Sequence, residues 1–284
     1  MRYKIEFIIG ASLFGTLGVL RRLTPFPSGF ITVFRLGSSV IALMLLLMVL
    51  RQKTNWPAIR ANLKYLVLSG LCLGMYMITA FESYLYTTVA KAELCFYIAP
   101  IVVVLLSPLF FDERINLRKV ICLITALIGL VLVSGVLDNT EKMPRDGFGI
   151  ALALITAAML VTVMSVNKKI QGLSSMERTE VQFIIGLAAT IPYAIVKGDF
   201  TGLEFTASGV FFLLVTSLIS TAFAYILYFR GIEHLPMQTS AMLSYLEPVM
   251  AVVLSALFLG EIMPLPQIVG AVLLIGSAII CQRE

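Results

Sequence analysis

Residues 96–113 read FYIAPIVVVLLSPLFFDE, and residues 244–261 read SYLEPVMAVVLSALFLGE. Aligned without a gap, the two stretches agree at eight of 18 positions and lie 148 residues apart. Two unrelated apolar helices are expected to agree at about two or three positions, so this match indicates an internal duplication. The matched pairs include Tyr97 with Tyr245, Pro100 with Pro248, Ser107 with Ser255 and Glu113 with Glu261.

The composition places this duplication in a membrane protein. Of the 284 residues, 59% are hydrophobic and 13% are charged, whereas a soluble domain has roughly half apolar and a quarter charged residues. The apolar residues occur in long runs, while a membrane barrel would show alternating segments of about ten residues. A hydrocarbon core about 30 Å thick requires about 20 apolar residues per helix. The sequence therefore predicts an all-α integral membrane protein.

Ten segments satisfy this requirement. They lie near residues 6–23, 30–50, 64–86, 92–111, 117–137, 147–167, 178–197, 207–230, 238–259 and 264–281. The predicted organisation is a first repeat of five transmembrane helices at 1–137, a polar linker at 138–146 and a second repeat of five at 147–284. With the N-terminus inside, 14 Lys and Arg residues fall on the cytoplasmic side and six outside, which satisfies the positive-inside rule. Both termini are therefore predicted to be cytoplasmic.

Five helices per repeat mean that the second copy enters the membrane from the opposite side. Inverted repeats recur in secondary transporters, because two such halves can rock about a site near the midplane and open it to each side in turn. Duplication also builds other membrane proteins, so a channel or a non-transporting scaffold is the alternative. The sequence has no Walker loop, so a gradient rather than ATP is expected to drive transport.

The matched prolines are candidate hinges. Pro100 and Pro248 fall within the fourth helix of each half, where each removes a backbone donor and opens the helix toward a neighbour or a cavity. A static kink is the alternative. Gly70 and Gly74 form a GxxxG pattern in the third helix, which predicts close packing within the chain rather than dimerisation.

Three ionisable residues lie well inside predicted spans, where a charge costs about 2.5–3.5 kcal/mol and should face protein or water. Arg35 and Glu82 lie at matching depth, so we expect them to pair or to share a cavity, either as a structural ion pair or in binding substrate or protons. Glu247 immediately precedes Pro248, and its repeat mate is Ala99. It is a candidate for binding substrate or protons, or for bonding the backbone that the proline frees.

Matched aromatic residues complete the candidate site. Tyr97 and Tyr245 could line a central cavity and offer a ring and a hydroxyl to an amphipathic solute, with ordinary interhelical hydrogen bonding as the alternative. Lys91 and Glu93, at the outer start of the fourth helix, are interpreted as anchors. His234 is the one histidine, and the four cysteines lack metal-ligand spacing. No metal, cofactor or catalytic residue is therefore predicted.

Together these features resemble the EamA-type family of the drug/metabolite transporter superfamily. The resemblance covers nearly the whole chain and implies a bacterial inner-membrane carrier with ten helices, both termini inside, and a central cavity between the halves. Members often export amino acids or other small metabolites. The residues that carry the resemblance are the two segments quoted above, Phe14-Gly15, Arg35, Tyr86-Thr87-Thr88-Val89 and Leu246-Glu247-Pro248-Val249.

The predicted function is secondary transport, in the export direction, of a small metabolite that is amino acid-like or amphipathic. The expected partners are this solute and membrane lipid, with protons as a candidate coupling ion and no nucleic acid. The chain is expected to act as a monomer or a homodimer. Phe14 stands where such carriers often have Trp, and Glu82 has no counterpart in the family pattern, so the solute itself is left open.

Overall fold

The computed structural model describes residues 2–52, 54–137, 144–259 and 264–281, and every regular element in these ranges is a helix. The helices are α1 (Arg2–Gly15), α2 (Leu17–Leu23), α3 (Ser28–Val49), α4 (Trp56–Ala61), α5 (Leu63–Tyr86), α6 (Val89–Phe96), α7 (Ala99–Phe111), α8 (Leu117–Val133), α9 (Asp146–Asn167), α10 (Ser175–Lys197), α11 (Ala207–Ser217), a π-helix (Leu218–Phe223), α12 (Ala224–His234), α13 (Met237–Ser244), α14 (Leu246–Leu259) and α15 (Leu265–Cys281). The prediction of an all-α chain is confirmed for these ranges.

Eight stretches of the described chain are long and apolar enough to cross a membrane. They are Arg2–Arg21, Ser28–Val49, Leu63–Tyr86, Lys91–Phe111, Asp146–Asn167, Ser175–Lys197, Ala207–His234 and Met237–Phe258. Two further predicted segments form shorter helices, since α8 and α15 have 17 residues each. A helix of that length is about 25 Å long, near the lower limit for a span. Residues 138–143, most of the predicted linker, lie outside the described ranges.

The surface of the bundle is apolar and several polar groups lie inside it, as a lipid environment requires. Val196 and Leu109 are among the most exposed side chains, whereas Gln182 is fully buried. The Gln182 amide donates to Ser69 Oγ at 2.6 Å and to Asn167 Oδ1 at 3.0 Å, which ties α10 to α5 and α9. Hydrogen bonds between buried polar side chains are a typical link between membrane helices.

In each half, the helix predicted to be the fourth is interrupted beside its matched proline. The first piece ends at Phe96 in one half and at Ser244 in the other, and these residues lie four positions before Pro100 and Pro248. Their carbonyls would have accepted the hydrogen bonds that the two prolines cannot donate. The missing donor thus falls at the end of the first half-helix in both copies.

Close helix packing uses the predicted glycines. A Cβ atom on Gly74 would lie 2.6 Å from the carbonyl oxygen of Gly186 in α10, and one on Gly70 would lie 2.8 Å from Ile185 Cβ. The backbones of α5 and α10 therefore approach at positions where only glycine fits. The prediction that this GxxxG pattern serves packing within the chain is confirmed.

Candidate functional site

A cavity of about 870 Å³ lies between the two halves of the chain. Its size is within the range of small-molecule sites, and its walls are mainly aromatic and aliphatic. The polar or charged side chains that line it are those of Arg21, Arg35, Tyr76, Tyr84, Glu93, Tyr97, Ser134, Thr216, Tyr225, Tyr228, Ser244, Glu247 and Gln267.

The cavity extends toward one end of the bundle. Arg21 near the end of α2, Ser134 just after α8 and Gln267 in the first turn of α15 all contribute to its lining. In the predicted ten-helix topology these three positions lie at the same end, so the cavity lining reaches that end of the bundle.

Hydrogen bonds between the halves close the opposite end. The Glu113 carboxylate accepts the backbone N–H groups of Met237 and Gln238 at 2.5 and 3.0 Å, and the Gln238 amide donates to Ser107 Oγ at 2.5 Å. Because the first N–H groups of a helix have no partner within it, Glu113 caps α13 across the interface between the halves.

A second group of contacts at this closed end joins α9, α10 and α12. Arg178, which is fully buried, donates to Glu233 at 2.7 Å. Lys168 donates to the carbonyls of Ile232 and Glu233 at 3.0 and 3.2 Å, and also to that of Leu235. Partial burial lowers the pKa of Lys168, because the charged amine loses contact with water. These bonds satisfy carbonyls at the end of α12 that the helix leaves without donors.

Aromatic rings form much of the cavity wall. The Phe14 ring lies 4.7 Å from that of Tyr225 and 5.3 Å from that of Tyr228, and the hydroxyls of Tyr76 and Tyr225 bond each other. The ring centroid of Phe96 lies 5.2 Å from that of Tyr97. Such a wall offers flat apolar faces and hydroxyl groups to a solute.

Arg35 is 3% exposed and lines the cavity. Its Nε donates to Thr221 Oγ1 at 2.9 Å, and Thr221 in turn donates to the carbonyl of Thr216 at 2.7 Å. Thr221 belongs to the π-helix Leu218–Phe223, which lies within the eighth predicted segment. Such π-turns occur frequently at functional sites.

The predicted pairing of Arg35 with Glu82 is wrong, and the two do not share the cavity. Glu82 faces α10 instead, where it accepts a hydrogen bond from Tyr193 and pairs with Lys197 at 3.2 Å. The two residues were predicted to pair because their positions along the helices indicate equal depth in the membrane. The helices present them in different directions, so Glu82 finds its partners on a neighbouring helix.

Glu247 and Tyr97 both line the cavity, as do the two matched prolines. The Tyr97 hydroxyl faces the carboxyl groups of Glu247 and Glu93. Tyr84 donates to Glu93, which also lines the cavity. The structure thus brings together two acids from the two interrupted helices, with tyrosines around them.

Tyr245 lies beside the cavity rather than in its wall. It is 1% exposed, and its hydroxyl donates to the backbone carbonyl of Tyr97 at 3.3 Å. The two matched tyrosines therefore meet at the interruptions of their helices. For Tyr245 the geometry corresponds to the alternative of an interhelical hydrogen bond.

The interpretation of Glu93 as an anchor is wrong, and Tyr76, Tyr84 and Tyr225 were not singled out from the sequence. Glu93 precedes Tyr97 by four residues, a spacing that places both side chains on one helix face and could have indicated the cavity. Lys91, its neighbour, pairs with Asp146 at 2.8 Å and so ties α6 to the start of α9.

No cluster of three or more His, Cys, Asp or Glu side chains that could hold a metal ion occurs in the part of the chain that the structure describes. Two arginines and two acids line the cavity, namely Arg21, Arg35, Glu93 and Glu247. Chemically, this arrangement can bind a small polar solute through charged groups and enclose its apolar part between rings.

Comparison with known proteins identifies similar sequences and a similar fold. A profile of the EamA-like transporter family matches residues 4–135 and 147–281. The uncharacterized transporter YxxF of Bacillus subtilis is 26% identical over 99% of this chain and 89% of its own length. An uncharacterized transporter of Archaeoglobus fulgidus is 27% identical over 100% of this chain and 98% of its own length.

Two more distant similarities agree with these. Protein PecM of Dickeya dadantii is 24% identical over 80% of this chain and 76% of its own length. A crystal structure with 18% sequence identity superposes with a TM-score of 0.84 and covers 100% of this chain and 99% of its own. At that sequence identity the superposition supports a similar fold and no statement about function.

Proposed function

Because this chain belongs to the EamA-like transporter family, we propose that it is a secondary carrier that exports a small organic metabolite by alternating access. The solute is amino acid-like or amphipathic. It binds in the central cavity, and rocking of the two halves moves the opening from one side of the membrane to the other. The family consists of transporters rather than enzymes, and a gradient supplies the energy.

The proposed architecture has ten spanning helices in two inverted repeats. It is supported by the duplicated segments, by the two family matches that leave out the linker, and by helix interruptions at Phe96 and Ser244. In this arrangement α8 and α15 are the fifth and tenth spans. The distribution of Lys and Arg favours an inner-membrane protein with both termini in the cytoplasm.

The observation that carries the proposal is the position of the cavity relative to the contacts between helices. Its lining reaches one end of the bundle, while Glu113, Arg178 and Lys168 join helices at the other end, which supports a conformation open to one side. An alternating-access carrier must have such a conformation, open to one side only. A channel in its conducting state would need a continuous path.

Within this carrier, Arg35, Tyr97 and Glu247 are proposed to contact the solute or a coupling proton, with Pro100 and Pro248 as hinges. Glu247 is the most informative of these for a test, because its carboxyl group lies within a candidate span and lines the cavity. Tyr245 is proposed to position Tyr97. Glu82 is proposed to hold α5 against α10.

The test is flux into proteoliposomes that contain the purified protein. Amino acids, amines and amphipathic drugs serve as probes, and transport is measured for the intact chain, Glu247→Gln and Glu82→Gln. We expect saturable flux and countertransport for at least one solute, loss of that flux in Glu247→Gln and its retention in Glu82→Gln. Flux that rises linearly with concentration and shows no countertransport would indicate a channel, and absence of flux would favour a scaffold.

A further inference from the structure

Arg35 is a buried cation without a counterion in the described chain. Its side chain is 97% buried from solvent, since only 3% is exposed, yet it contributes to the cavity wall. Among the described residues no carboxylate lies within ion-pair distance of it; Glu82 pairs with Lys197 instead. A buried charge in a membrane span is costly unless a partner of opposite charge or water compensates it.

The protein bonds the Nε–H of this guanidinium, while its terminal amino groups remain available to the cavity. Nε donates to Thr221, whose hydroxyl is itself fixed by its bond to the Thr216 carbonyl. Ser39, one turn along α3, donates to the Ser217 carbonyl at 2.8 Å and fastens α3 to the same turn. An arginine has five N–H donors in a planar fork, so the terminal amino groups remain as donors.

The other neighbours of Arg35 are hydroxyl groups rather than acids. Tyr76 and Tyr225 lie close enough to interact with its charge, and their hydroxyls bond each other. Hydroxyl oxygens can accept a hydrogen bond but do not balance a full positive charge. An anionic group in the cavity would balance the charge that these hydroxyl groups leave unbalanced.

We propose that Arg35 binds the carboxylate of the transported solute, so that this carrier selects small carboxylates with an apolar or aromatic body. The inference rests on the proposed function, since it assumes that solutes enter this cavity. A guanidinium and a carboxylate match in geometry and can form two parallel hydrogen bonds. Phe14 and Phe96 provide apolar surface for the body of the solute.

The charges in the cavity favour a carboxylate over a phosphate. One carboxylate balances the single charge of Arg35. A phosphate ester carries a charge of nearly −2, more than Arg35 balances, and Arg21, the other arginine of the lining, donates to the Thr24 carbonyl at 3.1 Å. The acidic side chains of Glu93 and Glu247, which line the same cavity, can accept hydrogen bonds from an amino group on the solute, so both plain carboxylates and zwitterions fit the site.

Binding of matched probes to the purified protein tests the proposal without requiring transport. Titration calorimetry measures the binding of three head groups: a carboxylate, the corresponding amide and a phosphate ester. Each head group is attached in turn to a phenyl, an indolyl and an isobutyl group. We expect at least one carboxylate to bind roughly 10- to 100-fold more tightly than its amide, as the loss of a charge-assisted bond predicts. Equal binding of the amide, tighter binding of the phosphate ester, or no binding by any carboxylate would overturn it.

Variants connect this preference to Arg35. Arg35→Gln should abolish the preference for carboxylate over amide, and Arg35→Lys should keep part of it because the charge remains. Arg60→Gln, an exposed arginine in α4, should leave it unchanged. If Arg35→Gln does not fold, Thr221→Val replaces it and should reduce the preference by removing the group that orients the guanidinium. An unchanged preference in the folded variant contradicts the proposal.

Flux measurements separate this inference from the proposed function. Saturable flux that is indifferent to the carboxylate and to Arg35 would preserve the carrier and refute the anionic subsite. Arg35-dependent carboxylate binding without any flux would preserve the subsite and refute the carrier.

Discussion

The surroundings of Glu82 predict a structural role for this carboxylate. It pairs with Lys197, which is 42% exposed, and accepts a hydrogen bond from Tyr193. A partly exposed ion pair contributes about 0–1 kcal/mol, so Glu82→Gln should lower the unfolding temperature only slightly and leave transport unchanged. Thermal unfolding in detergent and flux in proteoliposomes check this. If Glu82→Gln folds but has lost flux, Glu82 takes part in transport and the structural role is excluded.

For single residues, the depth in the membrane could be predicted from the sequence, but the direction of the side chain could not. Depth in the membrane can be counted along the chain, which is why Arg35 and Glu247 were predicted as unusual buried charges. The direction in which a residue faces depends on helix rotation, and one sequence does not determine it. Arg35 and Glu82 have equal depth but face different neighbours, and Glu93 faces the cavity from a position that reads as interfacial.

Among the helices, the predicted features were those with a clear chemical signal. Proline marks the interruptions before Pro100 and Pro248, because it lacks a donor whatever surrounds it. The π-helix Leu218–Phe223 has no such signal: it contains neither glycine nor proline. The Thr221 hydroxyl within it donates to the carbonyl of Thr216, five residues earlier. Interactions with neighbouring helices, such as that of Arg35 with Thr221, accompany it and could not be predicted from local sequence.

The half-helix α13 depends on a cap from the other half of the chain. Glu113 accepts two of its first N–H groups, and its negative charge favours the positive end of the helix. Glu113→Gln should weaken this contact by about 1–2 kcal/mol, because the amide is neutral and has one accepting oxygen. We expect the closed end of the bundle to open more often as a result.

Access of a thiol reagent measures this opening. A single cysteine is placed at Ser244 in the cavity of a chain whose four native cysteines are replaced by alanine. A membrane-impermeant reagent is then added on the closed side. Labelling should be faster in Glu113→Gln than in the parent and unchanged in Asp112→Asn, which alters the adjacent acid and keeps a residue that tolerates its left-handed backbone. Equal labelling rates in all three proteins would exclude a closing role for Glu113.

The contact between α5 and α10 predicts a strong effect of a small substitution. Gly74→Val places a side chain where the Gly186 carbonyl oxygen lies 2.6 Å from the first added carbon. Overpacking typically costs about 1–3 kcal/mol, and here the obstacle is backbone that cannot rotate away. Gly74→Val should therefore lower the unfolding temperature markedly. Gly276→Val is the control, because a Cβ there meets no atom within 4 Å. Similar unfolding temperatures for both variants would contradict the observed packing.

At the scale of the whole molecule, both halves of the chain contribute side chains to the cavity. Glu93 and Tyr97 come from the first interrupted helix and Glu247 from the second, and the Tyr245 hydroxyl reaches the Tyr97 carbonyl where the two interruptions meet. The duplication was visible in the sequence because it preserves residue types at a fixed spacing. The meeting of the copies was not, because spacing along a chain does not say how two halves pack.

The inverted arrangement depends on α8, one of the two shortest helices proposed to cross the membrane. Its 17 residues extend about 25 Å, enough for a thin or locally adapted bilayer. If α8 crosses, five spans separate the N-terminus from the linker, so Met1 and Asn139 lie on opposite faces. Reporters fused at Met1, after Asn139 and at the C-terminus should then be active in the cytoplasm, outside and in the cytoplasm, respectively. A cytoplasmic reporter after Asn139 would give the repeats the same orientation and remove the symmetry on which alternating access is built.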